Sequence, residues 1–194
     1  MNEKKGCLGG DLEVIVLDKN GKEIHRMKKR MDSFTNKAAW FFFICTFGSD
    51  HVTGCGHKNT DGNTDEFDWA DLVETHGCGA EGDDTIGIVV GRSDTPFDVN
   101  DYNLYDKIPH GDGDNQLHYG AGNQVELGNT YAIWERTFDN NGSVDITVKE
   151  IGFIVAYEAP AGTLHKYLFA RDVISPVTVP AGGRLIVRYK WEVQ

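Results

Sequence analysis

Residues 184–193 alternate as a strand with one wet face and one dry face. Leu185, Val187, Tyr189, Trp191 and Val193 share one side, while Arg188, Lys190 and Glu192 take the other. A side-chain period of two is incompatible with a helix and requires an antiparallel sheet half-buried against a core. Upstream, Val144, Ile146 and Val148 occupy even positions, whereas Ile151, Phe153, Val155 and Tyr157 occupy odd ones. A change of phase within one strand predicts a β-bulge, placed here at Lys149 and Glu150. Further strands are predicted over 86–92, 116–120, 123–127, 130–138 and 164–174, with Asn140, Asn141 and Gly142 as a hairpin turn between two of them.

The N-terminal part begins in the same way. Residues 11–17 are rich in β-branched apolar side chains, and Asn20-Gly21 is a hairpin signal because both residues tolerate positive φ. The return strand carries Arg26, Lys28, Lys29 and Arg30, which suits a solvent face or a sheet edge. From Ser33 to about Gly48 the pattern is helical, with Ser33 or Asp32 as N-cap and Gly48 as the stop. The run Trp40, Phe41, Phe42, Phe43 is apolar on every side, so this helix is expected to be buried in its own fold or against a neighbour. Residues 49–84 form an irregular polar insertion, and 93–115 a second long loop. The fold class is therefore all-β: one antiparallel β-sandwich domain over 1–194, a jelly roll being one variant, with one short N-terminal helix.

Charge limits the partners. The net charge of −11 argues against nucleic acid, whose phosphates need concentrated Lys and Arg. No run approaches the roughly 20 apolar residues that cross a bilayer, and Met1 to Lys5 lacks the apolar stretch of a secretory signal. Synthesis in the cytoplasm and no membrane contact are the expectations. Nine of the 19 basic residues fall in the first 37 positions, whereas nine acids and no Lys or Arg lie between Lys58 and Arg92. This asymmetry suits docking of one copy on another; a solvated acidic loop is the plainer reading.

Few residues promise chemistry. Cys55-x-His57 and His76-x-Cys78 mirror one another, and two thiolates with two imidazoles complete a tetrahedral Zn²⁺ site. A Cys55–Cys78 disulfide and four unconnected residues are the alternatives, because C-x-H is tighter than the usual ligand pair. Asp61, Asn63 and Asp65, with Asp68, begin like a Ca²⁺ loop, but Glu66 and Leu72 stand where an EF-hand needs Gly and Glu. Glu135 and Glu150 share only their residue type with a glycosidase pair. Nucleophile-elbow, zincin, P-loop and dinucleotide fingerprints are absent, so no enzymatic activity is expected.

One order of motifs goes further. Arg136, Phe138, Asn140 and Asn141 fit R-x-F-x-N-N, and Ile146, Val148, Glu150 and Gly152 fit I-x-V-x-E-x-G. Ala170 to Val173 read A-R-D-V, and Pro176 to Gly182 fit P-V-x-V-P-x-G. With Gly87 to Gly91, Asp94 to Pro96 and Asp101-Tyr102, this order resembles small structural proteins of tailed bacteriophages over about 86–193. The resemblance implies a virion protein of the tail, baseplate, collar or capsid-decoration set, assembling with itself and with other virion proteins. A module binding host-surface carbohydrate is the alternative, with Tyr102, Tyr105 and Trp69 as stacking aromatics. Charges inside apolar strands are rarely buried unless paired. Arg136 and Glu150 are therefore expected to pair across adjacent strands, with Arg171 nearby, or else to occupy separate surface positions.

Overall fold

A computed structural model describes residues 8–31, 33–39, 57–65, 74–158 and 164–193. Two antiparallel sheets pack face to face, the sandwich that the alternating strands predict. In the first sheet, β1 (Leu8–Leu17) and β2 (Glu23–Met31) form a hairpin. Gly21 takes a φ of 78° in its turn, and the Asp18 carboxylate accepts the N–H groups of Asn20 and Lys22. A left-handed φ is open to glycine at little cost, which is why Asn20-Gly21 turns the chain here.

The strands β3 (His57–Lys58) and β4 (Thr64–Asp65) make a small separate pair. Next come β5 (Glu74–His76), β6 (Gly87–Gly91), β7 (His118–Tyr119), β8 (Asn123–Leu127) and β9 (Tyr131–Asp139). The chain ends with β10 (Ile146–Glu158), β11 (Leu164–Val179) and β12 (Arg184–Val193). The first sheet runs β2-β1-β12-β9, with β7 and β8 both on the far side of β9. In the second, β10 is central, flanked by β11 on one side and by β5 and β6 on the other.

On β12 the alternation appears as read: Leu185, Val187 and Tyr189 are buried. On the opposite face, Glu13 binds Arg26 at 2.6 Å and Arg188 at 3.2 Å, and Arg188 binds Glu135 at 2.6 Å. That row crosses β2, β1, β12 and β9, with Glu13, Arg188 and Glu135 on directly paired positions and Arg26 on the diagonal from Glu13, and so favours one register. Glu135 thus faces out from the first sheet while Glu150 belongs to the second, and the two do not form a catalytic pair.

The β10–β11 register breaks between Val148 and Glu150, where the phase changes in the sequence. The surplus residues, however, lie in β11: Val148 pairs Val177 and Glu150 pairs Val173, so Ile174, Ser175 and Pro176 oppose Lys149 alone. Proline cannot donate to a ladder, and a bulge is where a strand accommodates it. Beyond Lys149, every residue of β10 from Glu150 to Tyr157 is buried. Phe153 packs on Trp134, Tyr189 and Trp191 of the first sheet. The reverse face lies beneath residues 93–107, where a Cβ on Gly152 would collide with Leu104. Two covered faces require two apolar rows, and the simple alternation ends there.

Residues 140–145 do not close a hairpin, because β9 and β10 lie in different sheets. The segment crosses the sandwich, as does 180–183 between β11 and β12. Fully buried Asn140 ties the two crossings together. Its Nδ2 donates to Val144 O at 2.9 Å and Val179 O at 3.0 Å, its N–H donates to Gly183 O, and its carbonyl accepts the Gly182 N–H. The Asn-Asn-Gly signal does make a local turn, since Asn140 Oδ1 accepts the Gly142 N–H at 3.2 Å. Of the expected helix, residues 36–39 are helical, and its aromatic run lies outside the described residues. Ser33 is not its cap: the hydroxyl donates to Asp172 at 3.0 Å. No helix among the described residues is long and apolar enough to cross a membrane.

Asn140→Ala is expected to lower unfolding stability by about 2 kcal/mol, because it strands the buried Val179 carbonyl and removes the side-chain bonds to Val144 O and the Gly142 N–H. Denaturant unfolding checks this, with Asn141→Ala, on the exposed side of the same turn, as a control expected to cost less.

Candidate functional site

Arg136 is the first of two fully buried arginines. Its position on β9 is paired with Val187, but its guanidinium reaches away from the sheet toward residues 79–88. Nε donates to Gly120 O at 2.8 Å, Nη1 to Ile86 O and Ile88 O at 2.9 and 3.1 Å, and Nη2 to Ala80 O and Asp83 O at 2.8 and 2.6 Å. A guanidinium has five N–H donors, and here five carbonyls receive them. The Tyr119 ring lies 4.9 Å from its carbon. Burial lowers the pKa of Arg136, with Tyr119, Asp83 and Asp84 opposing that shift. Neither expected outcome occurs: Arg136 does not pair with Glu150, and neither residue is at the surface. Planar, many-donor geometry makes carbonyl oxygens an adequate cage for arginine without a carboxylate.

Arg171, on β11, is the second. Nε donates to Glu150 Oε2 at 2.8 Å and Nη1 to Asp101 Oδ2 at 3.0 Å, all three residues being buried. Nη2 donates to Thr95 O at 2.9 Å. Glu150 also accepts the N–H groups of Tyr105 and Asp106. Arg171 and Glu150 together therefore fasten residues 95–106 over the second sheet. Lys37 adds a second cation to that loop, donating to Asn100 O and Asp101 O at 2.8 and 2.7 Å. Its pKa is pulled down to about 8, mainly by burial, while Asp101 and Asp98 act in the opposite direction. Asp172, also buried, joins the sheets by accepting from Lys29, Ser33 and Tyr189.

The fastened loop presents an exposed aromatic surface. Tyr105 is 57% exposed, yet its ring rests 4.6 Å from the Arg171 guanidinium and its hydroxyl donates to Asp101 Oδ1 at 3.1 Å. Tyr102 is 38% exposed, with the Lys58 ammonium 5.1 Å from its ring centroid. Between these tyrosines and the 59–63 turn lies a cleft of about 360 Å³. Its two walls are joined by Asn103 Nδ2 donating to Thr60 O at 2.9 Å. Elsewhere, the His118 ring sits between Asp112 at 3.0 Å and Glu81 at 3.3 Å, and the Glu81 contact leads in raising its pKa.

The Cys55, His57, His76 and Cys78 set falls only partly within the described residues. His57 lies on β3, half-buried, and Cys78 is exposed. Cys55 and the side chain of His76 are outside the described part, as are Trp69, Asp68 and the side chain of Asp65. Asp61 and Asn63 belong to a turn organised by Asn59, whose Oδ1 accepts both of their N–H groups at 3.0 Å. Among the described residues no group of three or more His, Cys, Asp or Glu is placed to hold a metal ion. Sequence reasoning missed Lys37, Asp101 and Asn59 as organisers; Asp101 had one signal, its place in the Asp101-Tyr102 pair. No protein-family model, curated protein or solved structure matches this chain.

Arg136→Met should cost at least about 3 kcal/mol, since several buried carbonyls lose their donor at once. Hydrogen exchange should accelerate across 79–88 more than across 95–106, and Arg136→Lys, with at most three donors, should recover only part of the loss.

Lys37 gives a pH prediction whose sign follows from its depressed pKa. Above about pH 8 the folded chain releases this proton while the unfolded lysine keeps it, so stability from this group rises with pH until about 10.4. Denaturation of the wild type and of Lys37→Met, compared across that window, should show the difference moving in favour of the wild type as pH increases.

Proposed function

We propose that this protein is a non-enzymatic structural subunit of a tailed-bacteriophage virion, from the tail, baseplate, collar or capsid-decoration set. It assembles through contacts with copies of itself and with other virion proteins. The observation that supports this reading is where the residues that carry the resemblance lie. Arg136, Asn140, Glu150, Arg171 and Asp172 are all fully buried, and each holds a loop or joins the two sheets. Motifs of this kind describe a scaffold that holds long surface loops in one shape. Surfaces organised in advance bind with less ordering cost, which suits repeated assembly.

Assembly draws on different patches of successive copies. At one edge of the first sheet, every residue of β8 is exposed, including Val125 and Leu127. At the other edge, β2 presents Ile24 beside Arg26 and Lys28. The basic first 37 residues and the acidic 59–84 stretch add complementary charge. A head-to-tail contact between unlike patches closes into a ring when its rotation allows, and a stable one buries more than about 1,000 Å².

Light scattering at micromolar concentration should find an oligomer at low salt. Its size should fall as salt rises, because the screening length drops from about 10 Å at 0.1 M to about 3 Å at 1 M. Mass spectrometry of purified particles should detect the chain. A strictly monomeric species at low salt, combined with absence from particles, overturns the proposal.

A further inference from the structure

The cleft between Tyr102, Tyr105 and the 59–63 turn has features that assembly does not require. Tyr105 is held at three points: its N–H on Glu150 at 3.3 Å, its ring on Arg171, and its hydroxyl on Asp101. A side chain so thoroughly positioned would ordinarily be covered, yet more than half of it is open to solvent. The polar groups around it are equally fixed and equally available. Asn59 holds the turn that carries Asp61, and Asn103 ties Thr60 to the tyrosine loop. Among the described residues, the Asp61 carboxylate and the Thr60 and Tyr102 hydroxyls have no hydrogen-bond partner.

We propose that this cleft binds a neutral saccharide, with the open face of Tyr105 under the sugar ring and the Asp61 carboxylate on a pair of neighbouring hydroxyls. The chemistry follows from the wall composition. A pyranose has an apolar C–H face that lies flat on an aromatic ring, and a rim of hydroxyls that suits a few convergent polar groups. A carboxylate accepts two O–H donors at once, and such charge-assisted bonds are the strong ones. The volume, about 360 Å³, admits one or two sugar units. A nucleotide would stack on tyrosine too, but its phosphate would meet the Asp61 carboxylate on the cleft wall, Asp101 being already paired with Arg171. The site stands independently of the assembly reading, because it lies on one chain and needs no second copy.

Saturation-transfer difference NMR on the full chain tests this, using the methyl glycosides of glucose, galactose, mannose and N-acetylglucosamine, with AMP as the competing class. At least one glycoside should receive saturation at its C–H protons. Asp61→Asn, at an exposed position, should leave thermal unfolding unchanged and weaken that binding about tenfold or more, the loss of one charge-assisted hydrogen bond. Tyr105→Ala should abolish it. Saturation of none of the four glycosides overturns the inference. Binding indifferent to Asp61→Asn, or a preference for AMP, overturns it as well.

Discussion

Buried guanidinium groups bonded to loop backbone are the interaction on which the rest of this molecule depends. A long loop over a sheet has a particular difficulty: its carbonyls are removed from water without the ladder that would satisfy them. Arg136 answers it for residues 79–88 by placing five donors among five carbonyls. Arg171 does the same for residues 95–106, with Glu150 and Asp101 neutralising its charge. The two solutions differ in electrostatics. One cation is balanced by carboxylates; the other is surrounded by carbonyl dipoles and the face of Tyr119. Both suit arginine and not lysine, since the planar fork reaches several acceptors from one side chain.

The covered loops in turn explain the second sheet. β10 is buried on both faces only because residues 93–107 lie over the side that the first sheet does not reach. Glu150 and Gly152 stand on that side, one as the partner of Arg171 and the other as the gap that admits Leu104. The two crossings between sheets meet at Asn140, whose side chain and backbone bond both. A single amide thereby couples the end of β9 to the end of β11, and the geometry of the sandwich at that end is set.

These fastenings bear on function through the surfaces they leave in place. Residues that would be mobile polar loops are instead held in a defined shape, including the exposed rings of Tyr102 and Tyr105. The two proposed roles, assembly with neighbouring copies and binding at the cleft, would both benefit from this rigidity, because ordering cost is met when the chain folds and not when it binds.

The sequence by itself determined most of the strands, the first hairpin and the sandwich class, but not β3, β4 and β5, which lie inside the stretch read as an irregular insertion. What it determined depends on local signals: the period of two in β12, Asn20-Gly21, and the phase change at Lys149. The resemblance also picked out Arg136, Glu150, Arg171 and Asp172, and charge inside an apolar strand is rarely buried unless it is paired. Only the tertiary structure decided what each of them touches. Arg136 and Glu150 carry opposite charges on successive strands of the chain, which is compatible with pairing or with separate surface positions, and neither occurs. They sit in different sheets, and the acceptors of Arg136 are backbone carbonyls, which every residue possesses and no sequence pattern marks. The same reason covers Asn140-Asn141-Gly142. A turn signal reports that the chain bends, but whether the next strand returns to its own sheet or crosses to the other depends on partners far along the chain. Tyr102 and Tyr105 were legible as loop aromatics; that one cleft gathers them with Asp61 became visible only when residues forty positions apart met across Asn103 and Thr60.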